Sequence, residues 1–237
     1  MKEKLRIGVF AYNFKHKKTF EGLINLYTNN YEVSCILAAD PVTLAFYQSK
    51  IRVAPKGLDY SHPKELAERF NIPYYVVPHN SEECGRLIKR YNLDLGIILG
   101  ARILKEHIIK AFKIGILNLH PGLLPHNRGL DTIKWAILKK MKQGASAHLI
   151  SKEIDRGQLI LKREIEVYQD DSLLDIFVRI QNMEQTLMLE SLNTLESGKR
   201  DFEDPGEGAY FKAVPEDLEK TLLKKFEEYK KEYSSLQ

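Results

Sequence analysis

The first half of the chain alternates short apolar runs with amphipathic segments, and this alternation restricts the fold more than any other feature. Leu95–Leu99 has the sequence LGIIL, an uninterrupted apolar run typical of a strand covered by helices on both faces. Strands are predicted at Leu5–Ala11, Glu32–Ala38, Tyr74–Val77, Leu95–Leu99 and Ile116–His120, and helices between the first four at Phe20–Asn29, Pro63–Phe70 and Glu82–Tyr91. The pattern predicts an α/β fold with a Rossmann-like, doubly wound and mostly parallel sheet, which binds ligands at the carboxyl ends of its strands.

The second half predicts an appended hairpin and further helices. The hairpin has a turn centred on Asp155-Arg156-Gly157, between strands at Gly144–Ile150 and Gln158–Val167. The elements predicted after it are a long helix, a short strand and a charged helix, at Ser172–Glu196, Ala209–Ala213 and Glu216–Tyr233. Pro41–Tyr60 has no regular pattern.

Composition and charge exclude several classes of protein. Hydrophobic residues at 43% and charged residues at 29% exclude a collagen, a disulfide scaffold and a wholly disordered chain. The net charge of +4 is too small to require a nucleic-acid partner, and Glu196–Gln237 is acidic, with 8 basic and 11 acidic side chains. Cys35 and Cys84 lack metal-ligand spacing, which favours a reducing cytoplasm. No apolar run approaches the roughly 18–20 residues of a membrane span, and the N-terminus predicts a strand rather than a signal peptide.

Two polar side chains stand at the end of a predicted strand. Asn118 and His120 are two positions apart, so both leave the same face, and Pro121 ends the strand beside them. An amide and an imidazole side by side can donate hydrogen bonds to a developing oxyanion. The alternative is a polar pair that satisfies the backbone at the strand end.

Asp155, at the tip of the predicted hairpin, is the third candidate. Its carboxylate could reach a neighbouring strand, orient an imidazole or accept a proton. The alternative is a turn residue bonded to its own backbone. His120, His126 and His148 lack metal-ligand spacing, and no nucleophile elbow or glycine-rich phosphate loop is present, so neither metal nor serine chemistry is predicted.

Three blocks of residues, in this order and at these separations, resemble the formyltransferases that use 10-formyltetrahydrofolate. They are Asn118-x-His120-Pro121-x-Leu123-Leu124-Pro125, Gly144-x-Ser146-x-His148 and Asp155-x-Gly157-x-Leu159-Ile160. Arg102-Ile103-Leu104 resembles the folate-binding loop of that family. Asp171-Ser172 and Gln181-x-x-Glu184 resemble the following helix of glycinamide ribonucleotide formyltransferase. The similarity extends from Leu93 to Arg200.

The resemblance implies a one-carbon transferase that uses N10-formyltetrahydrofolate as co-substrate and no metal. Asn118 and His120 would hold the formyl oxygen and stabilise the tetrahedral intermediate as an amine attacks. Asp155 would keep His120 in its working state and help to move the amine proton toward N10 of the folate. The implied folate-binding residues are Arg102, Ile103, Leu104, Ser151 and Lys152.

Departures from the family indicate which amine is formylated. Glycinamide ribonucleotide formyltransferase has a Gly-Ser-Asn loop after its first strand, whose amides hold a phosphate, whereas Tyr12–Thr19 has no glycine and several lysines. These cations could reach the diphosphate of a nucleotide-linked sugar, or merely solvate the loop. The predicted substrate-binding residues are Asn13, Lys15, Lys17, Lys18 and Glu184, and Glu184 could equally be a surface helix charge.

The short, acidic tail argues against transfer RNA, whose phosphates require clustered positive charge. We therefore expect a cytoplasmic enzyme for a UDP- or dTDP-linked amino sugar of bacterial surface glycans, such as one on a pseudaminic-acid-type route, with no nucleic-acid or membrane partner. The alternatives are a divergent glycinamide ribonucleotide formyltransferase, a formyltetrahydrofolate hydrolase and a non-catalytic folate-binding regulatory protein. We predict a catalytic domain over residues 1–200 and a C-terminal extension over 201–237. This extension could cover the site, form a homodimer or pack on the sheet.

Overall fold

The computed structural model describes residues 4–43 and 49–234, and a seven-stranded sheet is its main feature. The strands in chain order are β1 Ile7–Tyr12, β2 Val33–Ala39, β3 Tyr74–Val76, β4 Leu95–Ile98, β5 Gly115–His120, β6 Arg128–Gly129, β7 Gly144–Glu153, β8 Arg156–Glu164 and β9 Tyr210–Phe211. The large sheet has the spatial order β3-β2-β1-β4-β5-β7-β8, and β6 pairs with β9 in a separate two-stranded sheet.

Helices pack on both faces of the large sheet. They are α1 Lys17–Thr28, α2 Pro63–Arg69, α3 Glu82–Arg90, α4 Glu106–Ile109, α5 Thr132–Leu138, α6 Leu173–Glu196, α7 Glu216–Glu219 and α8 Leu222–Tyr233. Alternate residues of the strands enter two hydrophobic clusters: Val9 and Ile36 belong to one, and Phe10 and Leu37 to the other. This two-sided burial explains the uninterrupted apolar runs of the sequence.

The pairing of the strands confirms the predicted architecture. β1 to β5 pair in parallel, while β7 is antiparallel to both β5 and β8. The chain therefore has the α/β fold predicted above, with a doubly wound, mostly parallel sheet and an appended hairpin. The carboxyl ends of β1, β2, β4 and β5 meet at one edge, where such sheets bind ligands.

Two of the element boundaries that differ from the prediction affect candidate site residues. Helix α1 begins at Lys17 rather than Phe20, because buried Thr19 packs its first turn against the end of β4 and donates a hydrogen bond to the Leu99 carbonyl oxygen. Lys17 and Lys18 therefore lie on a helix and not in a loop. The hairpin turn lies at 154–155, and Arg156 already pairs with Glu153 across it.

The C-terminal residues pack on the same chain, which was one of the three predicted possibilities. The charged helix predicted after Pro215 is two helices, α7 and α8. Phe202, Leu222 and Phe226 are buried in the main core, and the Tyr229 hydroxyl donates a hydrogen bond to the Met141 carbonyl oxygen. The division into domains at residue 200 stays a prediction. Within residues 4–43 and 49–234, none of the helices has the length and apolar character needed to cross a membrane.

Candidate active site

Asn118 and His120 lie at the carboxyl end of β5, as predicted, between β4 and β7. Both point to the same side of the strand, and the antiparallel register sets Asn118 opposite His148 and His120 opposite Ser146. The side-chain nitrogen Nδ2 of Asn118 lies 3.1 Å from the ring nitrogen Nε2 of His148. The strand pairing therefore brings a second histidine into the site.

The His120 ring is fixed by a backbone carbonyl. Its Nε2 lies 2.7 Å from the Asn127 carbonyl oxygen. Because a carbonyl oxygen only accepts hydrogen bonds, Nε2 carries a hydrogen and donates it. The other ring nitrogen, Nδ1, lies 3.4 Å from Oδ1 of Asp155 and is the atom that can exchange a proton with the site.

Asp155 lies at the hairpin tip, and its carboxylate joins the two histidines. Its backbone has the left-handed φ of 48°, which lets two residues close the turn. Oδ2 accepts a hydrogen bond from the Gly129 amide at 2.8 Å, and Oδ1 lies 3.4 Å from His120 Nδ1 and 4.0 Å from His148 Nε2. The structure thus brings the three predicted catalytic residues together.

His148 is a site residue that the sequence interpretation did not include. It is fully buried, and burial, reinforced by the neighbouring His120 ring, lowers its pKa from 6.5 to about 4. The neutral ring can accept one hydrogen from the Asn118 amide, which leaves the second amide hydrogen for a ligand. A sequence signal was present, because Ser146 and His148 alternate with small buried residues and so share one face of β7.

The predicted folate-binding residues lie on two separate segments. After β4, the Arg102 guanidinium carbon is 5.8 Å from the centre of the Tyr12 ring, and Arg102 lines a cavity of about 330 Å³. Ile103 is 66% exposed, whereas Leu104 is buried in the core. Asn80 donates a hydrogen bond to the Ile103 carbonyl oxygen at 2.9 Å and so holds this loop.

Ser151 and Lys152, near the hairpin tip, line a larger cavity of about 670 Å³. Ile109 and Phe112 form part of its apolar wall, and Glu153, two positions before Asp155, also lines it. A cavity of this size is typical of sites for small organic ligands. Arg102 therefore lines a different cavity from Ser151 and Lys152.

Two of the predicted substrate residues lie at the end of β1. The Asn13 side chain donates a hydrogen bond to Asp40 and accepts one from the Tyr74 hydroxyl, both at 2.7 Å. Both the nitrogen and the oxygen of its amide therefore have partners within the chain. Lys15 is exposed and pairs with the exposed Asp59 at 2.7 Å. Lys15 is therefore accessible to an anion, since exposed ion pairs exchange partners at little cost.

Lys17 and Lys18 point in different directions from the first turn of α1. Lys17 pairs with Glu21 along the helix at 2.5 Å. Lys18 points inward, where its ammonium donates to Glu184 at 2.8 Å and to the Leu119 carbonyl oxygen at 2.6 Å. Glu184 is buried rather than on the helix surface, so the structure excludes the alternative of a surface charge.

Lys18 and Glu184 line a cavity of about 240 Å³. Its wall also contains Pro121, which directly follows His120, and Thr132 and Gln181. The Gln181 Oε1 atom is buried and accepts no hydrogen bond from the described residues. An unsatisfied buried acceptor beside a carboxylate is suited to a ligand that donates hydrogen bonds, such as an amine or a hydroxyl.

Within the described parts of the chain, no group of three or more histidine, cysteine, aspartate or glutamate side chains is arranged to hold a metal ion. The cluster offers a hydrogen-bond donor at Asn118 and proton-accepting groups at His120 and Asp155. His120 was predicted to hold the formyl oxygen, but its Nε2 hydrogen is donated to the Asn127 carbonyl oxygen and its Nδ1 faces Asp155. This arrangement can stabilise an oxyanion and take up a proton in the same step.

Comparison with known proteins agrees with this chemistry. The sequence profile described as formyl transferase matches residues 31–192, which is more than half of the chain. The chain belongs to the formyl transferase family. The family predicted from the three sequence blocks is therefore confirmed.

Curated relatives match part of the chain. A methionyl-tRNA formyltransferase of Fusobacterium nucleatum is 31% identical over 148 residues, which cover 61% of this chain and 47% of the relative. One from Clostridium botulinum is 30% identical over 173 residues, which cover 69% of this chain and 56% of the relative. The chain spans about half the length of the curated relatives it matches.

Solved structures share the fold. Phosphoribosylglycinamide formyltransferase from Anaplasma phagocytophilum has a TM-score of 0.66 at 20% identity, covering 90% of this chain and 100% of that one. A 4-N formyltransferase from Francisella tularensis has a TM-score of 0.62 at 18% identity, covering 89% of this chain and 78% of that one. At these identities the likeness shows the fold of the family alone.

Proposed function

We propose that this chain transfers the formyl group of N10-formyltetrahydrofolate to the primary amine of a small anionic substrate, a nucleotide-linked amino sugar. The observation that carries the proposal is the cluster in which Asp155 lies between His120 and His148, with Asn118 bonded to His148. Formyl transfer needs an oxyanion partner and a proton acceptor, and this cluster supplies both.

In the proposed reaction, the amine nitrogen forms a bond to the formyl carbon and the bond from that carbon to N10 breaks. The second amide hydrogen of Asn118 is available to the formyl oxygen as negative charge develops there. Nδ1 of His120 and the Asp155 carboxylate are close enough to share the proton that leaves the amine. That proton ends on N10 of the folate. No covalent intermediate with the protein is required.

We assign the two reactants to two of the cavities described above. The folate is assigned to the cavity of about 670 Å³ lined by Ser151 and Lys152, which has an apolar wall and is also lined by Glu153, two positions before Asp155. The amine fits the cavity of about 240 Å³, where Glu184 and the unsatisfied Gln181 oxygen can accept its hydrogens. Lys15, exposed at the same edge of the sheet, is our candidate for the substrate diphosphate.

A second candidate substrate is methionyl-tRNA, because the curated relatives at about 30% identity bear the name methionyl-tRNA formyltransferase. The acidic C-terminal residues favour the smaller substrate, since RNA phosphates require clustered cations. The sugar has a counterpart among the solved structures of this fold, a sugar N-formyltransferase from Shewanella.

The test supplies N10-formyltetrahydrofolate with UDP- and dTDP-linked amino sugars, glycinamide ribonucleotide or methionyl-tRNA. Mass spectrometry measures the formylated amine. We expect turnover with a nucleotide-linked amino sugar. Efficient use of glycinamide ribonucleotide alone or methionyl-tRNA alone would overturn the substrate class, and folate binding without any product would favour a regulatory protein.

Lys15→Gln tests the site for the anion. Loss of one exposed cation should raise KM for the amine about 1.5-fold to fivefold, the scale of an exposed charge pair, while KM for the folate stays unchanged. Lys140→Gln, which removes a comparably exposed lysine paired with Glu232 and lining neither proposed reactant cavity, is the control. An equal rise in both KM values, or no rise for the amine, would contradict the assignment.

A further inference from the structure

The two-stranded sheet β6–β9 joins the C-terminal segment to the backbone beside the active site. The Arg128 amide donates to the Ala209 carbonyl oxygen at 3.1 Å, and the Leu130 amide donates to the Phe211 carbonyl oxygen at 2.9 Å. Between them, Gly129 has a φ of +98°, and a Cβ atom there would collide with the Phe211 carbonyl oxygen. The C-terminal strand therefore determines the conformation of Gly129.

Side chains of the main fold hold strand β9 in place. The Trp135 indole donates a hydrogen bond to the Lys212 carbonyl oxygen at 2.7 Å and stacks on the Phe211 ring, with centroids 4.8 Å apart. The Val214 amide donates to the Asp131 carboxylate at 2.9 Å. These contacts hold β9 and the residues that follow it against α5 and its N-cap, Asp131.

The Gly129 amide, in turn, holds Oδ2 of Asp155 at 2.8 Å and leaves Oδ1 to face His120. The Arg128 guanidinium donates to the carbonyl oxygen of Ile154, the other turn residue, at 2.7 Å. We propose that segment Gly208–Val214 is a positioning element for the Asp155 carboxylate and acts through the Gly129 amide, an inference that rests on the formyl transfer proposed above.

The first test is Phe211→Ala, which removes the ring that stacks on Trp135 and loosens β9. We expect kcat to fall about tenfold or more, as expected for a displaced catalytic group, with both KM values nearly unchanged. Phe211→Tyr keeps the stacking ring and should restore kcat. Tyr210→Ala is the matched control, because the neighbouring side chain is exposed and pairs with β6 only through its backbone.

A double-mutant cycle separates positioning from a general structural role. In the Asp155→Asn background, Phe211→Ala should cause no further fall in kcat, because the group that it displaces is already inactive. Circular dichroism and thermal unfolding verify that each variant is folded. A full additional loss of kcat in that background, or an equal loss in Tyr210→Ala, would overturn the proposal.

A measurement that needs no turnover distinguishes failure of this proposal from failure of the proposed function. In a ¹H–¹⁵N spectrum of the whole chain, Asp155→Asn should shift the Gly129 amide resonance, because that amide donates to the carboxylate. In the Phe211→Ala background, the same substitution should leave the Gly129 resonance nearly unmoved. If Asp155→Asn shifts the Gly129 amide resonance by the same amount in the Phe211→Ala background as in the wild type, the positioning role is overturned, whatever the substrate is.

Discussion

Asp155 combines a proposed chemical role with an unusual backbone conformation. A left-handed φ costs most residues about 1–2 kcal/mol, but aspartate and asparagine tolerate it better than others. The same residue must close a two-residue turn and present a carboxylate oxygen to His120. Asparagine suits this backbone conformation but lacks the carboxylate, so aspartate is the residue type that meets both demands at position 155.

Asp155→Asn separates these two demands. Asparagine fits the left-handed turn and still offers an oxygen to the Gly129 amide, so the free energy of unfolding should change by less than about 1 kcal/mol. Without the carboxylate, kcat should fall by about 10²–10⁴, the usual contribution of acid–base catalysis. Steady-state kinetics and urea unfolding measure the two effects. A kcat within tenfold of the wild type would remove Asp155 from the mechanism.

His148 makes stability depend on pH. Its pKa is 6.5 when exposed and about 4 in the folded protein. As pH falls below 6.5, the unfolded chain binds a proton that the folded chain does not, so the contribution is present above pH 6.5 and is lost as pH falls to about 4. Between pH 7 and pH 5 this lowers the free energy of unfolding by about 2 kcal/mol.

In the His148→Gln variant, the part of the pH dependence of the free energy of unfolding that comes from His148 should vanish. Urea unfolding of both proteins at pH 7 and pH 5 measures the difference, and His16, whose pKa burial also lowers to about 4, titrates in both. Equal pH dependence in the two proteins would show that His148 is charged in the folded state.

At the scale of elements, Lys18 links helix α1 to helix α6 and strand β5 with one ammonium group. Its partners are Glu184 and the Leu119 carbonyl oxygen, and the glutamate is almost fully buried. Removing one member of a buried ion pair leaves the other charge without compensation, which costs more than the pair itself contributes.

Glu184→Gln should therefore lower the free energy of unfolding by about 3–5 kcal/mol. The double variant Lys18→Met with Glu184→Leu should recover most of this loss, because it removes both charges and keeps the volume. Chemical denaturation measures all three proteins. A double variant less stable than Glu184→Gln would show that the apolar pair does not pack in this space.

Strands and helices with a repeating apolar pattern were predicted well from the sequence, whereas boundaries that depend on single polar residues were not. The parallel strands have apolar runs that only two-sided burial explains, so their order of succession was visible in the sequence. The start of α1 was missed because Lys17 and Lys18 mask the apolar periodicity, although Thr19 packs on the sheet. The turn of the hairpin shifted because Asp155 adopts a conformation that sequence patterns associate with Gly157.

At the scale of the whole molecule, the contacts that complete the site join distant parts of the chain. Asn118, His120 and Asp155 could be found from motif spacing, whereas the bond from Gly129 to Asp155 and the pair of Lys18 with Glu184 depend on tertiary packing. No local pattern encodes such contacts, because each partner alone has an ordinary sequence neighbourhood.

Trp135, the single tryptophan of the chain, reports whether the C-terminal segment unfolds with the rest. Its ring lies between α5 and β9, while Phe202, Leu222 and Phe226 share the main core. Fluorescence and far-ultraviolet circular dichroism should therefore give coincident urea transitions, as for one cooperative unit. A fluorescence transition at lower urea would instead support a separate unit after residue 200.

The parallel pairing of β6 with β9 also sets an order of events during synthesis. Arg128 and Gly129 leave the ribosome about eighty positions before their partners Tyr210 and Phe211, so this pairing is among the least local in the fold. The sheet that carries Asn118 and His120 is synthesised while Gly129 still lacks its partner strand. Because Phe202, Leu222 and Phe226 complete the main core, we expect a growing chain that ends before Tyr210 to lack both a stable core and a positioned Asp155 carboxylate.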